Sequence, residues 1–411
     1  MKQRSKNRRR RDSLAQRATC GACVFALLAA QAAPVAFAGA YEQARRIYER
    51  LDGVPPSTAV LQIMANDITT NANGNGLLAA AEVATQYSSD PTQDYGKNFY
   101  DTTLKEFINP WTNRNQSAFV PFNDYTATVI GMIRDDIPFN TVLSANILYT
   151  VDAPNLPAVS AANNDHYATA EANGVDFSTA LTRTTQTAAY GTPAQGVSGV
   201  WTTRAGAAAY FVLGTNRAQF RFTMLNYLCH DMQLVMDNTR PTDRVRQDVA
   251  RSPGGDSRVF LDNCAGCHSG MDPMAQAFAY YDFNTTTTQM VYTPGQVQPK
   301  YVKNPQNFPW GFVTPNDDWS NRWRTGPNAD LGWASNLPGS GEGAAALGQE
   351  LENTTAFANC QVVKVFQTVC MRSPVSSADQ TTVNSIQALF VQSNYDLKQV
   401  FQQSAAACAG S

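Results

Sequence analysis

Cys264-Ala265-Gly266-Cys267-His268 has the form C-x-x-C-H, and the reading of the whole chain turns on it. Two thiols with a two-residue spacer match the separation of the two vinyl groups of a haem and can add across them as thioethers. The imidazole of the next residue then lies under the iron and supplies an axial nitrogen. The motif therefore predicts one covalent haem c on Cys264 and Cys267, with His268 as axial ligand. Paired cysteines have three other uses: a disulfide between neighbours, a thioredoxin-like redox pair, or half of a zinc site. A zinc site needs a second C-x-x-C or a pair of histidines. Beyond the leader, with histidines only at His166, His230 and His268, the chain offers neither.

Attachment of this kind takes place outside the cytoplasm, so the N-terminus bears on it directly. Lys2, Arg4, Lys6 and the run Arg8–Arg11 form a basic n-region, the stretch from Ala22 to Ala33 a short apolar h-region, and Ala36-Phe37-Ala38 an A-x-A site. A signal peptide over 1–38 is expected, and with it a periplasmic or secreted mature chain. The apolar run is too short for a permanent anchor, and Cys20 and Cys23 leave with it. No later stretch reaches the length of a membrane helix, so no transmembrane segment is expected after cleavage.

The leader holds 8 of the 31 basic residues and 1 of the 33 acidic ones, which leaves the mature chain nine charges negative. That argues against nucleic acid and anionic membrane as partners. Six cysteines remain after the leader. Two go to haem, and Cys229, Cys360, Cys370 and Cys408 form an even set for disulfides in an oxidising compartment. Cys360 and Cys370 read as ten residues apart on one helix, about 15 Å along its axis, beyond the reach of a disulfide. Cys229 then pairs with one and Cys408 with the other. An up-down-up arrangement of three tail helices brings Cys370 to Cys408 and leaves Cys229 for Cys360.

In chain order, 40–52 reads as a helix with Ala44, Ile47, Tyr48 and Leu51 on one stripe. Ser57 caps the next helix. The segment from Asn71 to Glu82 has the spacing of an EF-hand loop but too little charge for calcium, so a polar turn before a helix is the preferred reading. Helices are expected over 97–111 and 123–134, and another through Val142, Ile147 and Leu148. Residues 152–200 read as loops with short helices, and His166 within them as a solvated loop histidine, with a haem ligand from a loop as the alternative. A long helix is expected from Arg217 to Asp237. Met224, Leu228, Met232 and Met236 fall on it at i, i+4, as a core stripe or as a source of the distal haem ligand. Met271 and Met274 lie too close behind His268 to pass round the macrocycle. Met232 is the preferred distal ligand, with His230 second. Trp310, Trp319, Trp323 and Trp333 crowd the loop-like 285–340, either as packing or as a partner- or sugar-binding surface. Tail helices are expected over 346–371, 377–391 and 395–407.

Four stretches carry a family likeness: Leu51-Asp-Gly-Val-Pro-Pro-Ser57 with Asn123 to Phe139; Thr215 through Cys229; Cys264 to Asp282, which reads C-x-x-C-H, a D-P dipeptide, then an aromatic-Asp close; and Cys360 to Arg372 with Asp379 and Tyr395-Asp-Leu397. Together they resemble the planctomycete-type cytochrome c proteins. The chain departs from that pattern at Ala275 and Ala279, where Gly and Glu are frequent, and at Met371, where Gly is usual. The resemblance implies an exported, mainly α-helical haem protein. Its parts would be an N-terminal helical module with a loop-rich end (39–200), a cytochrome c-like haem domain (201–300), a Trp-rich loop segment (301–345) and a C-terminal three-helix module (346–411).

The expected function is single-electron transfer by one haem c, with a redox protein as donor or acceptor. Most of the chain lies outside the haem segment, which motivates two alternatives. One is a haem enzyme with an open, peroxidase-like iron site. The other is a scaffold that docks on a redox or carbohydrate-active enzyme through the tryptophan loops.

Overall fold

The computed structural model describes residues 39–301, 306 and 308–410; the expected signal peptide lies outside them. The chain is mainly α-helical, with three two-stranded antiparallel sheets among the described residues. No described helix is long and apolar enough to cross a membrane.

The N-terminal helices follow their local signals. Ala40–Asp52 buries Ala44, Ile47, Tyr48 and Leu51 and stops at Gly53, whose positive φ of 73° glycine adopts freely. Thr58–Thr70 starts where Ser57 accepts a hydrogen bond from the Val60 amide. In the EF-hand-like stretch, Asn71 Oδ1 accepts from the Gly76 amide and Asn75 Oδ1 from that of Leu78. These side chains cap the helix Gly76–Ala84 and form a polar turn. Asn123 caps Asp124–Arg134, a central helix buried along its whole length.

Three expectations fail locally. No helix runs through Val142, Ile147 and Leu148. Instead the Leu143 amide donates to Glu352 Oε2, and the carbonyls of Val142 and Ala145 accept from Val200 and Gly199. One i→i−4 bond forms, from the Ala145 amide to the Thr141 carbonyl, and the distant partners keep it from propagating into a helix. It continues as β1 (Leu148–Val151), paired with β2 (Leu181–Thr184). The helix from Arg217 ends at Leu228, not Asp237. Cys229 takes left-handed geometry, and the His230 amide turns back to the Met224 carbonyl. Met232 lies in a separate 3-10 turn, Met232–Val235. The stretch 346–371 is two helices, Gly343–Glu352 and Thr355–Cys370, because Thr354 caps the second through the Phe357 amide.

His166 is buried rather than solvated. Its Nε2 accepts from the Val151 amide at 3.0 Å and its Nδ1 donates to the Pro157 carbonyl at 2.8 Å, so both ring nitrogens are engaged. Both expected disulfides are present: Cys229–Cys360 and Cys370–Cys408, with Cα separations of 5.3 and 5.7 Å.

One hydrophobic core runs from Ala44 to Ala409 and takes in the N-terminal helices, the motif helix and the tail. Phe401 of the last helix packs edge-on against Phe99 and Phe107, and Gln402 donates to Thr85. Trp319 and Trp323 are buried, and Trp333 is half-buried with its indole N–H on the carbonyls of Trp323 and Asn328. Trp310 is 87% exposed and stands apart from them. Trp319, Trp323 and Trp333 are packing, and Trp310 alone of the four is exposed.

Candidate functional site

Two consecutive helices hold the motif. Ser257–Asn263 is capped by Asp256, and Ala265–Ala275 follows it directly. Cys264 is the corner. Its amide donates to Phe260 of the first helix, and its carbonyl accepts from His268 of the second. Cys267 stands one turn on. Its Sγ lies 3.5 Å from the Met232 carbonyl, and the Asp237 amide donates to the Gly266 carbonyl at 3.0 Å. Through these two contacts the segment 232–237 lies along the motif. Gly270 lets the Trp323 indole approach the helix closely; a Cβ there would fall 2.0 Å from the indole nitrogen.

His268 is partly exposed, and its Nδ1 lies 3.2 Å from Asp272 Oδ1 one turn later. The Asp272 carboxylate is fully buried. Arg217 grips it with Nε on Oδ1 at 2.7 Å and Nη2 on Oδ2 at 2.9 Å. Arg246 adds its backbone amide and a guanidinium 3.7 Å away. Arg217 also forks onto Asp248 at 2.7 and 2.9 Å. Two arginines, Arg246 buried and Arg217 20% exposed, thus face two carboxylates and the charges balance. Burial alone would raise the Asp272 carboxyl, but the charges of Arg217 and Arg246, with the hydrogen bonds from His268 and Arg217, hold it well below the usual carboxylate range.

The donor set fits a c-type haem. Cys264 and Cys267 are free thiols, partly exposed on adjacent turns, while the other four cysteines of the described chain are paired. With Nδ1 donating to Asp272, the remaining His268 nitrogen, Nε2, carries the lone pair an iron needs. The segments flanking the motif present apolar side chains to solvent, Leu234 and Met236 on one and Val259 and Leu261 on the other, as a porphyrin face requires. The other uses of paired cysteines fit less well. Among the described residues no three His, Cys, Asp or Glu side chains gather to hold a metal ion. Haem asks for no such gathering, since its thiols bond carbon and only the imidazole meets the metal. Burial, with the neighbouring Cys264 and Asp231, pushes the Cys267 thiol up; a reactive redox cysteine is tuned the other way.

The distal candidates divide by burial. Met224, Met271 and Met274 are core residues. Met232 is 8% exposed, with its side chain in the same core. His230 is half-buried beside the helix end, with Nδ1 2.5 Å from the Leu228 carbonyl. Sequence reasoning missed Arg217, Arg246, Asp248 and Asp272. Asp272 was within reach, since i, i+4 places it on the face of His268. The arginines come from distant segments and carry no local signal.

Comparison with family models, curated proteins and solved structures finds no match to this chain.

Proposed function

We propose that this chain is an exported c-type cytochrome of the planctomycete-type kind, carrying one covalent haem and passing single electrons to or from a redox protein. The observation that carries the reading is the joint state of three neighbours: two unpaired thiols on adjacent turns, and an imidazole whose Nδ1 is already committed. The haem, when bound, supplies the one-electron couple. Cys264 and Cys267 fix it, and His268 Nε2 holds the metal. The partly exposed thiols and the apolar side chains around them leave the site at the surface, where a partner can approach within electron-transfer range.

The test is expression in a host with the haem-attachment machinery. Haem that stays with the polypeptide in acidified organic solvent, and is lost in a Cys264→Ala/Cys267→Ala variant, is expected. Haem that extracts freely from the wild type rejects the reading.

A further inference from the structure

We propose that Asp272 is the positioning residue of His268: it fixes the tautomer and ring orientation of the axial imidazole and biases the iron toward the ferric state. The proposal rests on the haem-binding reading and goes beyond it to a residue that touches neither thiol nor metal.

Three observations carry it. First, Asp272 is four residues past His268 on one helix, with Oδ1 3.2 Å from Nδ1. A carboxylate accepts and cannot donate, so the proton of a neutral imidazole must sit on Nδ1. Second, Asp272 cannot swing away. Arg217 clamps both its oxygens, Arg246 bonds Oδ2 from the backbone, and Arg217 is itself braced by Asp248. Arg246 is held in turn by Thr215 at 3.1 Å. Third, the cluster is a poor stabilising device. Buried ion networks are commonly matched or surpassed by apolar side chains of the same volume. Two arginines converging on the buried partner of one imidazole, one of them braced by a second carboxylate, make better sense as a support for that imidazole.

The consequence for the couple follows from the bond itself. An imidazole on ferric iron is the more acidic N–H donor, so an acceptor at Nδ1 stabilises the oxidised state more than the reduced one. Removing the acceptor's charge should favour ferrous iron.

The experiment compares wild type with Asp272→Asn and Asp248→Asn, all with haem attached. Each variant removes one negative charge from the same cluster, but only Asp272 touches His268. At a fixed ambient potential, Asp272→Asn is expected to raise the ferrous-to-ferric ratio about tenfold, roughly 59 mV for one electron, and Asp248→Asn clearly less. Equal shifts in the two variants would reduce Asp272 to a distant charge and overturn the proposal. Should Asp272→Asn fail to fold, the reduced wild type labelled with 15N-histidine decides. A slowly exchanging Nδ1–H on His268 supports the proposal, and its absence overturns it. Wild type without covalent haem overturns the functional reading, and this inference with it. Covalent haem with an unchanged couple in Asp272→Asn overturns this inference alone.

Discussion

Cys229 and Cys360 are joined across 131 residues, with Cα atoms 5.3 Å apart, and the bond sits where the helix Arg217–Leu228 turns left-handed and stops. It ties the segment leading to the motif to the middle of the tail helix Thr355–Cys370. Cys370–Cys408 closes a loop of only 38 residues within the tail. A longer loop restricts the unfolded chain more. Replacing Cys229 and Cys360 together by Ala is expected to destabilise by about 2–4 kcal/mol, and replacing Cys370 and Cys408 by about 1 kcal/mol less. Denaturant midpoints without reductant check the order.

The two glycines of the motif helix should respond differently to alanine. A Cβ on Gly270 falls 2.0 Å from Trp323 Nε1 and 2.3 Å from Cε2, atoms of a fully buried ring. Gly270→Ala should cost about 1–3 kcal/mol through overpacking. A Cβ on Gly266 meets Asn238 Oδ1 at 2.6 Å, the tip of an exposed side chain that can rotate away. Gly266→Ala should be near neutral, since alanine regains up to about 1 kcal/mol of helix propensity. Thermal unfolding of the pair decides; equal losses would mean that Trp323 yields as easily as Asn238.

Met371 ends the helix Thr355–Cys370 with φ 55° and ψ 28°, and its side chain is 81% exposed. A side chain in this conformation costs roughly 1–2 kcal/mol, and Met371 has little packing to offset it. Met371→Gly should stabilise by about 0.5–1 kcal/mol once the greater freedom of glycine in the unfolded chain is counted. A lowered unfolding midpoint would show that the methionine has a role in the folded state.

What the sequence made legible had local causes. Ser57, Asn123 and Asp396 each cap the helix they precede, Ser376 and Asp379 form a reciprocal capping box, and Ala44, Ile47, Tyr48 and Leu51 form the stripe their spacing implies. Helix reach rules out Cys360 with Cys370, and the up-down-up order of the tail helices chooses between the two pairings that remain. What stayed hidden had distant causes. The methionine stripe past Leu228 keeps helical spacing, yet the chain turns at Cys229, which is bonded to Cys360. The run through Val142 looks helical until Glu352 and Val200 claim its backbone. At the site, Cys264, Cys267 and His268 could be read from spacing. The arginine clamp on Asp272 could not, because Arg217 and Arg246 reach it from 55 and 26 residues away.

Glu352 gives stability a measurable slope with pH. Its carboxyl is pushed up to about 8 by burial, against hydrogen bonds from Ser144 and the Leu143 amide. Unfolded, it titrates at its ordinary value of 4.5. Between these values the folded chain holds a proton that the unfolded chain releases. The contribution is therefore full below 4.5, falls as pH rises, and is gone above about 8. Within the window the slope approaches about 1.4 kcal/mol per pH unit. Asp52, pushed up to about 9 by burial, slopes the same way, while Lys364, pushed down by burial, slopes the other way. The stability difference between wild type and Glu352→Gln isolates the one group, and it should shrink steadily from pH 5 to 8. A flat difference would place an ionised Glu352 in the core.

The distal side of the iron is the last prediction, and burial reverses the order that the sequence suggested. The sequence favours Met232 as a member of a long helix packed beside the haem segment. That helix ends at Leu228, and the Met232 thioether is packed in the main core, so reaching a metal would open a cavity. His230 needs no such move. Its Nδ1 is 2.5 Å from the Leu228 carbonyl, an acceptor only, so the proton sits there and Nε2 carries the lone pair. This is the arrangement His268 reaches through Asp272, and it is the usual one for a metal-binding imidazole. The contact of Cys267 Sγ with the Met232 carbonyl holds this segment against the motif, and the neighbouring disulfide anchors its start to the tail helix. His230→Ala is expected to turn a low-spin haem high-spin and to open it to carbon monoxide, leaving stability nearly unchanged. Met232→Ala is expected to keep the low-spin spectrum and lose about 2–5 kcal/mol of stability as a core truncation. A Met–iron charge-transfer band in the wild type that disappears in Met232→Ala would restore Met232 as the ligand, and a high-spin wild type would mean that neither residue binds.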